Sequence, residues 1–139
     1  MAAERISAGV VVLRHSQGQC LYLLLRAYGY WDFPKGEVGP SEQALEAARR
    51  EVAEETGIED LRFRWGEAFH ETGRYGRGKV ARYFVAETAQ TEVELGVSPE
   101  LGRPEHHEHR WLSYDAARER LVPRVQAALD WARKRAGCD

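Results

Sequence analysis

The sequence predicts an α/β fold, a mixed β-sheet held between helical layers, on three observations. Short β-branched and aromatic runs recur along the chain; one strong amphipathic helix lies among them at residues 42–56; and a second amphipathic helix comes last, at 122–135. Strands with a helix in their midst and another after them need helical layers to cover the sheet.

Taken in order, residues 5–14 (RISAGVVVLR) are rich in β-branched side chains and read as a strand. A glycine-bearing turn at 15–19 leads into residues 20–26 (CLYLLLR), which predicts a hairpin. The continuous leucines of its second arm point to burial on both faces. Residues 28–36 (YGYWDFPKG) are aromatic and then turn at Pro34. The first helix follows, with Ser41 as expected N-cap and Gly57 at the left-handed position that ends it. Leu61, Phe63 and Trp65 alternate with Arg62 and Arg64, the pattern of a half-buried strand. Three glycines and three cations make residues 71–79 an exposed loop, and residues 80–87 (VARYFVAE) return as a strand. From 88 to 107 the chain is polar and holds Pro99 and Pro104, which suits a long loop carrying a short strand. Residues 108–112 (EHRWL) form a last strand, and 114–121 and 122–135 are helical, the latter apolar along Val125 and Leu129.

At 139 residues, 43% hydrophobic and 30% charged, the chain is expected to be one soluble globular domain over 1–139. Its net charge of −2 excludes the basic field that drives non-specific nucleic-acid binding, but not polyphosphate held by local cations and a metal. The longest apolar run, residues 8–13, is far short of a membrane span, and no signal-peptide pattern precedes it. Two cysteines are too few for a disulfide framework. Cys20 is expected to be a small buried hydrophobe and Cys138 a loose thiol, which suits a cytoplasmic protein.

The chemistry concentrates in residues 36–58 (GEVGPSEQALEAARREVAEETGI). On a helix, Glu51, Glu54 and Glu55 stand at i, i+3 and i+4 and emerge on one face. Leu45, Ala48 and Val52 form the core stripe, and the three carboxylates fall beside it rather than on the solvated side. Like charges that close repel, and partial burial adds to the cost, unless a cation sits among them. Arg49 and Arg50 offer a plainer outcome, a salt-bridged surface helix, and the flanking residues decide against it.

Gly36, then Glu42, Arg50-Glu51-Val52, Glu54-Glu55 and Gly57-Ile58 fill every specified position of the Nudix box, so the chain resembles a Nudix hydrolase over nearly its whole length. The resemblance implies a Nudix α/β/α sandwich and hydrolysis of a pyrophosphate bond in a nucleoside diphosphate-linked compound. It implies a divalent cation, Mg²⁺ or else Mn²⁺, on Glu51, Glu54, Glu55 and the Gly36 carbonyl; hard oxygen ligands suit such an ion. Arg50 is expected to orient the carboxylates, since its planar fork can hold one bidentately. The general base is a box glutamate or one from a distal loop; in residues 105–109 (EHHEH) Glu105 is the first candidate and Glu108 the second. A separate histidine metal site is not expected there.

Residues 30–36 (YWDFPKG) are similar to the Trp-x-x-Pro-Lys-Gly entry of the asymmetric diadenosine tetraphosphate hydrolases. By that similarity Lys35 and Lys79 hold phosphates, Tyr83 stacks on a purine, and the products are ATP and AMP. The subfamily has histidine after the box glycine where this chain has Glu37. The cations of the 74–79 loop offset that anion, or else they mark a more highly charged ligand. An RNA 5′-pyrophosphohydrolase, a diphosphoinositol polyphosphate phosphohydrolase and a nucleotide-sugar hydrolase are the rival enzymes. A non-catalytic binding module is disfavoured because the box carboxylates are all present. The expected partner is a small-molecule nucleotide, not a membrane, and nucleic acid only as an RNA 5′ end.

Overall fold

The structure, a computed structural model, describes residues 5–138. In chain order its elements are β1 (Arg5–Ser16), β2 (Gln19–Ala27), β3 (Tyr30–Asp32), β4 (Lys35–Glu37), α1 (Ala44–Thr56), β5 (His70–Glu71), β6 (Lys79–Glu87), β7 (Val97–Ser98), β8 (Arg103–Pro104), β9 (Glu108–Leu112), α2 (Tyr114–Arg120) and α3 (Pro123–Ala136).

The sheet is mixed, and β1 is its centre. One edge of β1 runs parallel to β6, from Arg5 beside Lys79 to Leu13 beside Glu87. The other edge pairs antiparallel with β4 over Ser7 to Gly9, then with β2 over Leu13 to Ser16. Strand β2 pairs with β9 as well as with β1 and β3, so Tyr22 to Leu25 are fully buried, as the leucine run predicts. Alternate residues of β1 face opposite layers. Val10 and Val12 pack with Leu23, Leu25 and Phe84 under Ala47, Ala48 and Val52 of α1. Val11 and Leu13 pack with Tyr22, Leu24 and Val85 against Ala117 of α2 and Val125, Leu129 and Ala132 of α3. Helices therefore cover both faces, in the three layers anticipated.

Four expectations need correction. Helix α1 begins at Ala44 with Gln43 as N-cap, whose N–H donates to Glu46 at 3.1 Å; Ser41 does not cap it. Glu42 lies outside because its carboxylate is already taken by the Gly39 N–H at 2.9 Å and by Arg50. The stretch 61–65 alternates in burial but makes a single bridge, Arg62 to Glu87, since β5 occupies that edge of β6 farther along. The 88–107 loop carries two short strands, β7 and β8, that pair with each other. Finally, Cys138 is no loose thiol: it is disulfide-bonded to Cys20 across 118 residues. That pairing is created by α3 ending beside the start of β2, which spacing alone does not reveal. Among the described residues no helix is long and apolar enough to cross a membrane.

Candidate active site

Helix α1 delivers its acidic face to the segment 35–37, and Gly36 makes the approach possible. A Cβ on Gly36 would stand 2.1–2.4 Å from the carboxyl atoms of Glu51, so any larger residue there would push that carboxylate out of its place. Glu55 comes from the next turn of the helix and is 8% exposed. It accepts the Lys35 backbone N–H at 3.3 Å, and His106 Nδ1 lies 4.0 Å away. Burial holds its carboxyl well above the usual range, and neighbouring Glu51 and Glu105 push it the same way. A carboxylate buried there is costly unless a positive charge lies against it.

Arg50 organises the rest. Its Nε and Nη2 bind Glu42 bidentately at 2.7 and 2.9 Å, while Nη1 reaches Glu51 at 2.8 Å and Glu54 at 3.3 Å. Nη2 also donates to the Glu37 carbonyl at 3.1 Å. These bonds draw the Glu42 pKa down to about 2 and raise that of Arg50. Glu54 remains on the open flank, its side chain 54% exposed.

The loop before β9 meets the helix here. One ligand atom each from Glu55, Glu105 and His106 lie within 4.8 Å of one another. His106 is turned inward, with its side chain 14% exposed, and burial lowers its pKa. The donors are mainly carboxylate oxygens, Glu55 is buried, and Gly36 gives Glu51 the space a Cβ would fill. That set fits a hard divalent cation.

Lys35 joins this acidic cluster to a basic groove. Its backbone touches Glu55 while its side chain lines a groove of about 270 Å³ with Arg5, Lys79, Arg124, Tyr30 and Tyr75. Arg124 Nη2 donates to the Tyr30 hydroxyl at 2.8 Å and its guanidinium stacks 3.8 Å from the Tyr75 ring centre. Glu37, which also lines the groove, is answered by Arg5 at 2.8 Å. Lys35 is drawn down by burial, yet its pKa ends above the ordinary value because Asp32, Tyr75 and Tyr30 outweigh that.

Tyr83 corrects the expected stacking role. The ring is fully buried, edge-on to Phe33, and its hydroxyl donates to Asp32 Oδ1 at 2.9 Å. No face is open to a base. Asp32, also buried, takes the Phe33 N–H at 2.7 Å and lies 3.7 Å from Lys35 Nζ. Tyr83 therefore stands behind Asp32, which stands behind Lys35. Sequence reasoning missed Asp32, Arg5, Arg124 and His106; the one available signal was the adjacency of His106 to Glu105.

Residues 3–132 match the NUDIX domain family. The chain is 38% identical over 102 residues to the asymmetrical bis(5′-nucleosyl)-tetraphosphatase of Rattus norvegicus, covering 69% of this chain and 66% of that protein. It is 32% identical to the enzyme of the same name from Caenorhabditis elegans, over 80% of each chain. The fold superposes on a crystal structure of a C. elegans Ap4A hydrolase with a TM-score of 0.78 and 26% identity, covering 96% of this chain and 98% of that one.

Proposed function

The chain belongs to the NUDIX family, and from that premise we propose that it is a divalent-metal-dependent hydrolase of a pyrophosphate bond, with a dinucleoside polyphosphate such as diadenosine tetraphosphate as substrate and ATP and AMP as products. The observation that carries the reading is the junction at Lys35, whose backbone N–H bonds the buried Glu55 of the acidic cluster and which lines a groove with Arg5, Lys79, Arg124, two tyrosines and Glu37. A polyphosphate needs such a seam: cations along its length and acidic ligands at the bond to be cut.

Glu51, Glu54, Glu55 and the Gly36 carbonyl would hold Mg²⁺, with Mn²⁺ as the alternative ion. Bound there, the ion would neutralise phosphate charge and acidify a water. Arg50 fixes the carboxylates in register, and its reach to Glu42, Glu51 and Glu54 supports that role. Glu105 accepts the proton of the attacking water as general base, a role supported by its carboxylate lying within 4.8 Å of that of Glu55. Lys35 and Lys79 hold phosphate oxygens as mobile point charges. Tyr30 and Tyr75, which line the groove, take over the stacking role that a buried Tyr83 does not fill. We further propose a single domain over 1–139 that acts on a free nucleotide in the cytoplasm, where the Cys20–Cys138 bond would be reduced.

Incubation with diadenosine tetraphosphate, a capped or triphosphorylated RNA, a diphosphoinositol phosphate and a nucleotide sugar, each with Mg²⁺, tests the reading. Fast conversion of the tetraphosphate to ATP and AMP is expected. Preference for another member of the panel overturns the substrate; no turnover of any overturns the activity.

A further inference from the structure

On the sheet face opposite α1, a second group of ligand-type side chains comes together that the proposed hydrolysis does not use. His15 near the end of β1, Cys20 at the start of β2 and Cys138 just past α3 place one ligand atom each within 4.8 Å of one another. Cys20 Sγ lies 3.5 Å from His15 Nε2. The other ring nitrogen, Nδ1, lies 3.1 Å from Glu87 Oε2, an oxygen also held by Arg64 at 2.8 Å. We infer that this is a redox-gated site for a soft divalent ion such as Zn²⁺: a disulfide when oxidised, and a Cys20–Cys138–His15 metal site when reduced.

The geometry supports it in three ways. Two ligands of a tetrahedral zinc, one sulfur at about 2.3 Å and one nitrogen at about 2.0–2.1 Å, stand roughly 3.6 Å apart, which is the separation His15 and Cys20 already have. A carboxylate on the far nitrogen of a metal-bound histidine fixes its tautomer and leaves the other nitrogen free to ligate; Glu87 is in that place. Cys138 follows the C-cap Gly137, outside α3, so its sulfur can withdraw to the roughly 3.8 Å that two thiolates on one tetrahedral ion require without breaking the helix.

The chemistry balances with a cellular thiol as reductant. Two thiols of that class give two electrons and two protons to the Cys20–Cys138 bond, becoming a disulfide themselves, and leave two cysteine thiols. Metal binding then releases those two protons, so two thiolates and a neutral imidazole meet a dication with no net charge left over. Thiolate ligands select such an ion over Mg²⁺. In a reducing compartment, where disulfides are rare, the ion would keep the end of α3 tied to β2 in place of the covalent bond.

The test uses the full chain, reduced with a phosphine, stripped of metal and titrated anaerobically with Co²⁺. Expected is one thiolate-bound Co²⁺ per chain, counted by its thiolate-to-metal charge-transfer and tetrahedral absorption bands, displaced by Zn²⁺ and absent from the oxidised chain. Binding to the glutamates through oxygen gives no such charge-transfer band. Cys138→Ser should abolish the band, and Glu87→Gln should weaken binding by roughly 10- to 100-fold, with His15→Ala at least as damaging. A reduced chain without the band overturns the inference, as does a band that survives both Cys138→Ser and His15→Ala.

Discussion

The acidic cluster and the basic groove meet at Lys35 but are built in opposite ways. Gly36, Glu42, Arg50, Glu51, Glu54 and Glu55 fall within one short stretch of sequence, and helical periodicity alone aligns most of them. The groove takes Arg5 from β1, Tyr30 from β3, Lys35 from β4, Tyr75 and Lys79 around the start of β6, and Arg124 from α3. One is local geometry; the other exists only because the sheet is ordered β3-β2-β1-β6-β5 with β4 laid against β1. The difference teaches where each half should be sensitive. Damage to the cluster should strike turnover, and damage to the groove should strike substrate affinity.

The largest effect should come from Glu55→Gln, which keeps shape and removes the buried charge proposed to ligate the ion. Several kcal/mol of transition-state stabilisation are at stake, on the order of a 10³-fold loss in kcat, with the fold intact by circular dichroism. Glu54→Gln should also reduce turnover strongly. Wild-type rates in both variants would separate the acidic cluster from the chemistry altogether.

What could be seen in the sequence follows the same division. The three layers, the core stripe of α1 and the acidic face came from period and spacing, which act over a few residues. The start of α1 escaped because Glu42, a sound helix former, is engaged by Gly39 and Arg50 instead. Arg5, Asp32 and Arg124 carry no local signal; each acquires meaning from a strand or helix far away in the chain. Tyr83 was misplaced for the complementary reason. Its neighbours in sequence suit an exposed platform as well as a core, and its burial comes from the shared core of Phe33, α2 and α3 on that face of the sheet.

Two intermediate effects sharpen the contrast. Arg50→Lys retains a charge but not the fork that holds Glu42 bidentately while reaching Glu51. Carboxylates out of place by about 1 Å cost roughly 10²-fold, so kcat should fall while KM moves little. Lys79→Ala should do the reverse. Losing one charge-assisted contact of about 1.5–3 kcal/mol raises KM by roughly 10- to 100-fold, and steady-state kinetics at two salt concentrations should show a weaker salt dependence. A kcat loss in Lys79→Ala matching that in Arg50→Lys would mean that cluster and groove act as a single unit.

The smallest and most discriminating effect is expected from Tyr83→Phe. If the ring served as a platform for a base, phenylalanine would replace it at almost no cost. Behind Asp32 the outcome differs, because the hydroxyl is a donor to a buried carboxylate whose pKa burial already raises. Deleting it leaves that acceptor short by one bond, worth about 1–3 kcal/mol of stability, and loosens the partner that lies 3.7 Å from Lys35 Nζ. Chemical denaturation should register the first loss, and a several-fold rise in KM with kcat nearly unchanged the second. Combining Tyr83→Phe with Lys35→Ala then tests the route: if the hydroxyl acts through the lysine, the double variant binds substrate no worse than Lys35→Ala alone.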